Sequence, residues 1–316
     1  ILKETTIMKN QTIVISAMAI MSLTSCYSDI DMEKYRGEQQ VVLNCIANSD
    51  TTIMADVSST WFFTEGYPSE DIDGLDIDIS INGTHKGKMT YDGDKYQSSI
   101  RPKAGERIAI STTIEGKTIS AEDVMPEKTT ISNIDITHKH TNGMEEVFTY
   151  EIHFNNDASA CKYYFAKIGA VDYINQVGTL DYSADPAFRL TSERINKTFA
   201  SLKLEGQNGM PFTNEAMQKG DCCIRITEKG DYTYYMGENA RLRKVTLFSI
   251  SEAYYKYLIS VLSNDSESSW QGGLTDIGLS EPVRIFSNIK GGCGIFGCLH
   301  SDKKTVELPN ARNTGE

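Results

Sequence analysis

Leu75, Ile77, Ile79 and Ile81 alternate with Asp76, Asp78 and Ser80, and the run ends in Asn82-Gly83. An apolar period of two fits a half-buried strand and no helix, and Asn-Gly tolerates the positive φ angles of a tight hairpin turn. The signature recurs: Thr84 to Tyr91 leads through Asp92-Gly93 into Lys95 to Ile100, and Arg107 to Ile114 leads through Glu115-Gly116 into Lys117 to Val124. Val41 to Ala47 and Thr52 to Ser58, split by Asn48-Ser49-Asp50, form the opening pair. Roughly seven short strands in about 85 residues predict an immunoglobulin-like or prealbumin-like β-sandwich over residues 39–125.

Pro126 and the polar Glu127-Lys128-Thr129-Thr130 mark the expected boundary, with a β-rich C-terminal domain over 126–316. Phe148, Tyr150, Ile152 and Phe154 share one face of a strand, and Cys161 to Ala170, Ile224 to Thr227, Tyr232 to Met236 and Lys244 to Phe248 read as further strands. One amphipathic helix is expected near 251–263, where Tyr254, Tyr257, Leu258, Val261 and Leu262 recur at helical spacing and Ser249 with Glu252 fits a capping box. Asp172 to Gly220 is turn-rich and carries no assignable period. The fold class expected is mainly β.

The first residues read as an address. An apolar stretch, Ile13 to Met21, follows Lys9 and leads into Leu23-Thr24-Ser25-Cys26. It is too short for a spanning helix, which needs roughly 20 residues, and has the length of a signal-peptide core. Leu-Thr-Ser-Cys resembles the lipobox of bacterial lipoproteins, so residues 1–25 are expected to be removed, with 1–7 an upstream translation artefact, and Cys26 to carry the lipid. Two or more acyl chains suffice for stable anchoring. Residues 26–38, with Ser28-Asp29-Ile30-Asp31-Met32-Glu33, read as an acidic tether, similar to the export signals of surface lipoproteins, which sets the expected location at the outer membrane facing the exterior.

Charge narrows the partners. Lys plus Arg number 31 against 43 Asp plus Glu, a net charge of -12. Such a surface does not attract a nucleic acid or supply a polybasic membrane patch. Seven cysteines leave six once Cys26 is lipidated, an even number in an oxidising compartment. Cys293 and Cys298, around Gly294-Ile295-Phe296-Gly297, are the expected local disulfide.

Ser251-Glu252-Ala253-Tyr254-Tyr255-Lys256-Tyr257-Leu258, then Glu281-Pro282-Val283, Ser287-Asn288-Ile289-Lys290-Gly291-Gly292 and Gly294-Ile295-Phe296-Gly297, occur in that order, after the opening Glu38-Gln39-Gln40-Val41-Val42-Leu43-Asn44. This arrangement resembles a family of Bacteroidetes envelope lipoproteins known only as a domain of unknown function. The resemblance implies an accessory component working beside a TonB-dependent outer-membrane transporter, and it implies no reaction.

No G-x-S-x-G, H-E-x-x-H or G-x-x-x-x-G-K-[ST] occurs, so no catalytic residue and no cofactor is expected. His138 and His140 would share a strand face and could ligate a metal, although a hairpin tip beside Thr141-Asn142-Gly143 fits two solvated side chains better. Asp71, Asp73 and Asp76 offer oxygens to a hard cation, but a solvated strand face explains them as well. Trp61-Phe62-Phe63, with Tyr67, is the more informative segment. Consecutive side chains of an extended chain alternate, so three adjacent aromatics cannot all enter one core. Together with Trp270 they are binding candidates for an oligosaccharide or peptide, or else cover the seam between domains. The expected function is a non-enzymatic, lipid-anchored accessory or ligand-binding partner of a TonB-dependent transporter. The alternatives are a structural or adhesive surface subunit assembling through β-edges and, further off, a hydrolase with a dispersed site.

Overall fold

A computed structural model of the chain describes residues 37–61, 72–140, 145–157, 161–171, 177–195, 202–204, 207–231, 240–264 and 284–309. The strands of the first part are β1 (Val41–Asn48), β2 (Ile53–Ser59), β3 (Asp78–Ile81), β4 (Thr84–Lys88), β5 (Thr90–Tyr91), β6 (Tyr96–Ser98), β7 (Arg107–Ile114) and β8 (Lys117–Val124). Then come β9 (Ile131–His140), β10 (Glu145–Asn156), β11 (Tyr163–Ala170), β12 (Thr179–Asp181), helix α1 (Pro186–Ile195), β13 (Leu202–Leu204) and β14 (Gln207–Thr213). β15 (Gly220–Asp231), β16 (Leu242–Ile250), helix α2 (Glu252–Asn264) and β17 (Cys293–Glu307) complete the order. The fold is mainly β.

The hairpin signals are realised. Asn82 and Gly83 take φ of 51° and 77°, and Glu115 and Gly116 take 50° and 81°, the paired left-handed conformation that matches the twist of flanking strands. These turns build a four-stranded sheet, β4-β3-β7-β8. A second, β12-β15-β10-β9, is built from the long hairpins of the later part. A nine-stranded sheet, β13-β14-β11-β16-β17-β1-β2-β6-β5, supports both.

Residue parity shows how the layers stack. Phe296 and Cys298 of β17 pack with Leu43, Cys45, Ile53 and Val57 against Ile79, Ile108, Ile110 and Ile119 of the first small sheet. Val245 and Leu247 of β16, with Tyr164, Ala166 and Ile168 of β11, pack against Phe148, Tyr150, Ile152, Phe154, Ile224 and Ile226 of the second. Leu247 lies opposite Asp302, an even position like Phe296 and Cys298, so both small sheets cover one face of the large sheet. The odd positions Ile295 and Leu299, with Phe165, Phe248 and Ile250, face the other way and meet Tyr254, Tyr255 and Leu258 of α2. Each such buried side chain contributes about 1.5–3 kcal/mol.

The large sheet is closed by a pairing with no local signal: β1 runs parallel to β17, with Cys45 beside Phe296 and Ala47 beside Cys298. The sheet therefore carries strands from both sides of the boundary expected at 125/126. The linker there is strapped across it. Thr129 donates its amide to Ser249 Oγ at 3.0 Å, Ile131 donates to Asp302 Oδ2 at 2.8 Å, and Lys128 Nζ lies 3.3 Å from Asp50 Oδ1. Gln39–Glu316 forms one compact unit.

Two local expectations are corrected. Ser251, not Ser249, caps α2: its Oγ accepts the Tyr254 amide at 3.3 Å, while Ser249 lies within β16. The unassigned stretch contains α1, whose cap is Asp185, accepting the Ala187 amide at 2.9 Å just before Pro186. Asp-Pro is a helix-start signal, masked here because the buried face of Ala187, Phe188, Thr191 and Ile195 is interrupted by a threonine. The strand expected at 232–236 lies outside the described residues.

Candidate functional site

The alternation leading into β3 directs Leu75, Ile77 and Ile79 toward the core and Asp76 and Asp78 outward. In β7 the same rule buries Ile108, Ile110 and Thr112 and turns Ser111 outward. β3 pairs with β7 only from Asp78, opposite Ser111, to Ile81, opposite Ile108. Upstream of Asp78 the chain departs from the ladder, and the gap is a cavity of about 460 Å³. Its walls are Gly74, Leu75, Asp76, Asp78, Lys88, Ser111, Thr112, Thr113 and Thr118.

Lys88 Nζ lies 2.6 Å from Asp76 Oδ2, and this contact raises the ammonium above its ordinary pKa. His85 Nδ1 lies 3.7 Å from Asp78 Oδ1. Thr112 is 4% exposed and its Oγ1 has no hydrogen-bond partner. Carboxylates that accept, hydroxyls that do both and a single ammonium suit a small hydroxylated or amide-bearing ligand of a few hundred cubic ångströms. Of the acidic candidates, Asp76 is engaged by Lys88 and Asp73 is an exposed loop residue, while Asp71 lies outside the described residues. Among the described residues no three His, Cys, Asp or Glu side chains converge as metal ligands.

Trp61 is 49% exposed. Cys26, Phe62, Phe63, Tyr67 and Trp270 lie outside the described residues. His138 is not solvated: its ring stacks on Phe148 with centroids 4.8 Å apart, and Nε2 is 3.4 Å from Glu146 Oε2, with 4% of the side chain exposed. His140 is exposed at the end of β9. Cys293 and Cys298 do not form the expected disulfide. They sit on one extended strand, where five residues span about 16 Å, well beyond the 7 Å or so that a bridge tolerates. All six described cysteines are free.

A Ser/His pair does occur, at a place the sequence does not mark. Ser49 Oγ meets His300 Nδ1 under the turn between β1 and β2. Burial lowers the His300 pKa, which suits a neutral imidazole. Asp50 does not complete a triad, since its Oδ2 accepts the Ser301 amide at 2.9 Å and its Oδ1 faces Lys128. The group is a clip between β17 and the opening hairpin. A second polar set lies deeper: Arg243 and Glu228, both fully buried, pair at 3.0 Å, and Tyr150 donates its hydroxyl to Glu228. Gly178 donates its amide to the same carboxylate at 3.0 Å.

The motif Ser287 to Gly297 is a joint. Asn288 donates Nδ2–H to the Phe296 carbonyl at 2.8 Å and accepts the Phe296 amide at 2.9 Å, folding the segment onto itself. Lys290 and Ser120 exchange both backbone hydrogen bonds, which attaches the segment to β8. Gly291 has φ of 81°, and a Cβ there would strike the Thr118 carbonyl. Gly297 lies under α2, where a Cβ would meet the Tyr254 ring at 2.8 Å.

The family described as Domain of unknown function (DUF4249) matches residues 28–305. The chain belongs to it. No curated protein matches the chain. The DUF4249 match begins two residues after Cys26 and extends into β17, so it includes all three sheets. Within this DUF4249 chain the cavity walls and the joint meet at β8, which supplies Thr118 to both.

Proposed function

We propose that this DUF4249 chain is a lipid-anchored protein of the outer-membrane surface that holds a small polar ligand, an oligosaccharide unit or a peptide, for a TonB-dependent transporter. The observation that carries the reading is Leu23-Thr24-Ser25-Cys26 behind an apolar run, placed before a tether and a rigid β body. The polar cavity supports the binding role, because Asp78, Lys88, Ser111, Thr112, Thr113 and Thr118 in its walls come from strands of a packed sheet and so are set before a ligand arrives. The chemistry of those walls supports binding over catalysis: the carboxylates engage a lysine or a histidine, and no nucleophile among the lining residues is paired with a base.

The test is a pull-down through a C-terminal tag from gently solubilised outer membranes, with mass spectrometry of bound proteins. A stoichiometric β-barrel transporter is the expected result. Recovery of the lipoprotein alone, acylated at Cys26, overturns the partnership. Cys26→Ser tests the anchor separately and is expected to move the protein from the membrane to the soluble fraction.

A further inference from the structure

Open sheet edges invite further strands, and this chain blunts nearly all of its own. The nine-stranded sheet ends in β13 and β5, of three and two residues. One small sheet ends in β4, of five residues, and in β8, whose outer side is bridged by Lys290. The other ends in β12, of three residues, and in β9, of ten. Only the first turn of β9 is occupied: Ile131 donates to Asp302, and the Ser132 carbonyl accepts from Lys304 Nζ at 2.8 Å. Beyond Ser132 no strand among the described residues pairs with its outer side, no proline interrupts it, and Asn133, Asp135, Thr137, Lys139 and His140 are exposed.

The charges on β9 say which strand fits. Pairing with a second copy about a two-fold axis normal to the sheet keeps outward residues opposite outward residues. Centring that axis on Asp135 or Lys139 sets like charges opposite each other. Centring it on Thr137 sets Asp135 opposite Lys139 of the copy, twice by symmetry, and Ile136 opposite His138 on the inner face. We propose that the protein forms a closed dimer in which two β9 strands pair antiparallel about Thr137, joining two four-stranded sheets into one. The contact uses the same patch on both copies and consumes it, so assembly stops at two and does not grow into a fibre. The proposal depends on neither the cavity nor the lipid, and anchoring two copies in one membrane would raise their effective concentration.

The experiment uses the full-length lipoprotein in its own membranes. In Thr137→Cys the new thiols face each other across the axis, and mild oxidation should give a band at twice the mass. The native chain, with its exposed Cys161, and Lys117→Cys on the other small sheet are the controls and should give none. Asp135→Lys sets lysine opposite lysine and should weaken dimerisation about tenfold, read as loss of the Thr137→Cys band and by sedimentation in density-matched detergent. Adding Lys139→Asp restores opposite charges and should restore the dimer. Circular dichroism of each variant establishes that it is folded. A folded Thr137→Cys chain that does not cross-link, or a band indifferent to Asp135→Lys, overturns the dimer while leaving the transporter partnership untouched.

Discussion

Asp123, near the end of β8, is a carboxylate held where water cannot reach it well. Its Oδ1 accepts the Val124 amide at 2.8 Å, and its Oδ2 is buried near the Ser251 hydroxyl and Cys298. Burial raises its pKa from an ordinary 3.8 to about 6, and the nearby Ser251 hydroxyl and Cys298 only soften that rise. A raised carboxylate pKa means that the folded state binds a proton more tightly than the unfolded one, so stability falls as pH climbs through this window. At about 1.4 kcal/mol per pKa unit, the full difference is about 3 kcal/mol, and about 2 kcal/mol of it is lost between pH 4.5 and 7.5. Asp123→Asn removes the titration and keeps the shape. Urea unfolding of wild type and variant at both pH values cancels the other groups, and the variant should gain about 2 kcal/mol on wild type between the two. A difference that stays constant across that range refutes the argument that Asp123 is desolvated.

Other perturbations test the packing. Arg243→Met strands the buried Glu228 and should cost about 3–5 kcal/mol in chemical denaturation, whereas Glu228→Leu with Arg243→Met should recover most of that loss. Gly297→Ala forces a methyl against the Tyr254 ring and should destabilise by about 1–3 kcal/mol, seen as a lower Tm, while Gly37→Ala in open space should be neutral. Burial raises the Cys45 and Cys298 thiols, so both should resist thiol reagents until the chain unfolds, while Cys161 reacts at once; mass mapping of labelled peptides distinguishes them. Thr113→Trp places a large ring in the wall of the cavity and should abolish any ligand co-purified from membranes, detected by native mass spectrometry, without lowering Tm by more than a few degrees.

The parts of the fold readable from the sequence were those with a local cause. Asn82-Gly83 turns the chain by its own backbone preferences, Gly116 supplies the same freedom behind Glu115, and the alternation through Ile79 or Ile152 needs only one buried face to be recognised. The pairing of β1 with β17 has no such cause. Residues some 250 positions apart are brought together only when both small sheets need the same backing, and nothing at Cys45 or Phe296 announces it. The cavity was half legible. Asp76 drew notice as a charge, but Ser111, Thr113 and Thr118 are ordinary outward residues until β3 leaves the ladder. A histidine before Thr-Asn-Gly suggests a solvated hairpin tip, but Phe148 on the neighbouring strand offers the His138 ring a face to stack on.

The residues of the segment from Ser287 to Gly297 serve the architecture. Asn288 closes its hydrogen bonds on Phe296, Lys290 extends β8, Gly291 passes the Thr118 carbonyl, and Gly297 makes room for α2. Each of these contacts joins the large sheet to its neighbours. A substitution in the motif should therefore act on stability first, and on any partner only through loss of the folded chain. Under the proposed binding role, a ligand would be chosen by positions free of that duty, such as the outward faces of β3 and β7 beside the joint. A Gly291→Ala chain that kept its Tm but lost the proposed transporter partner would contradict this division of roles, because a Cβ there meets Thr118 and Ile119 of its own chain.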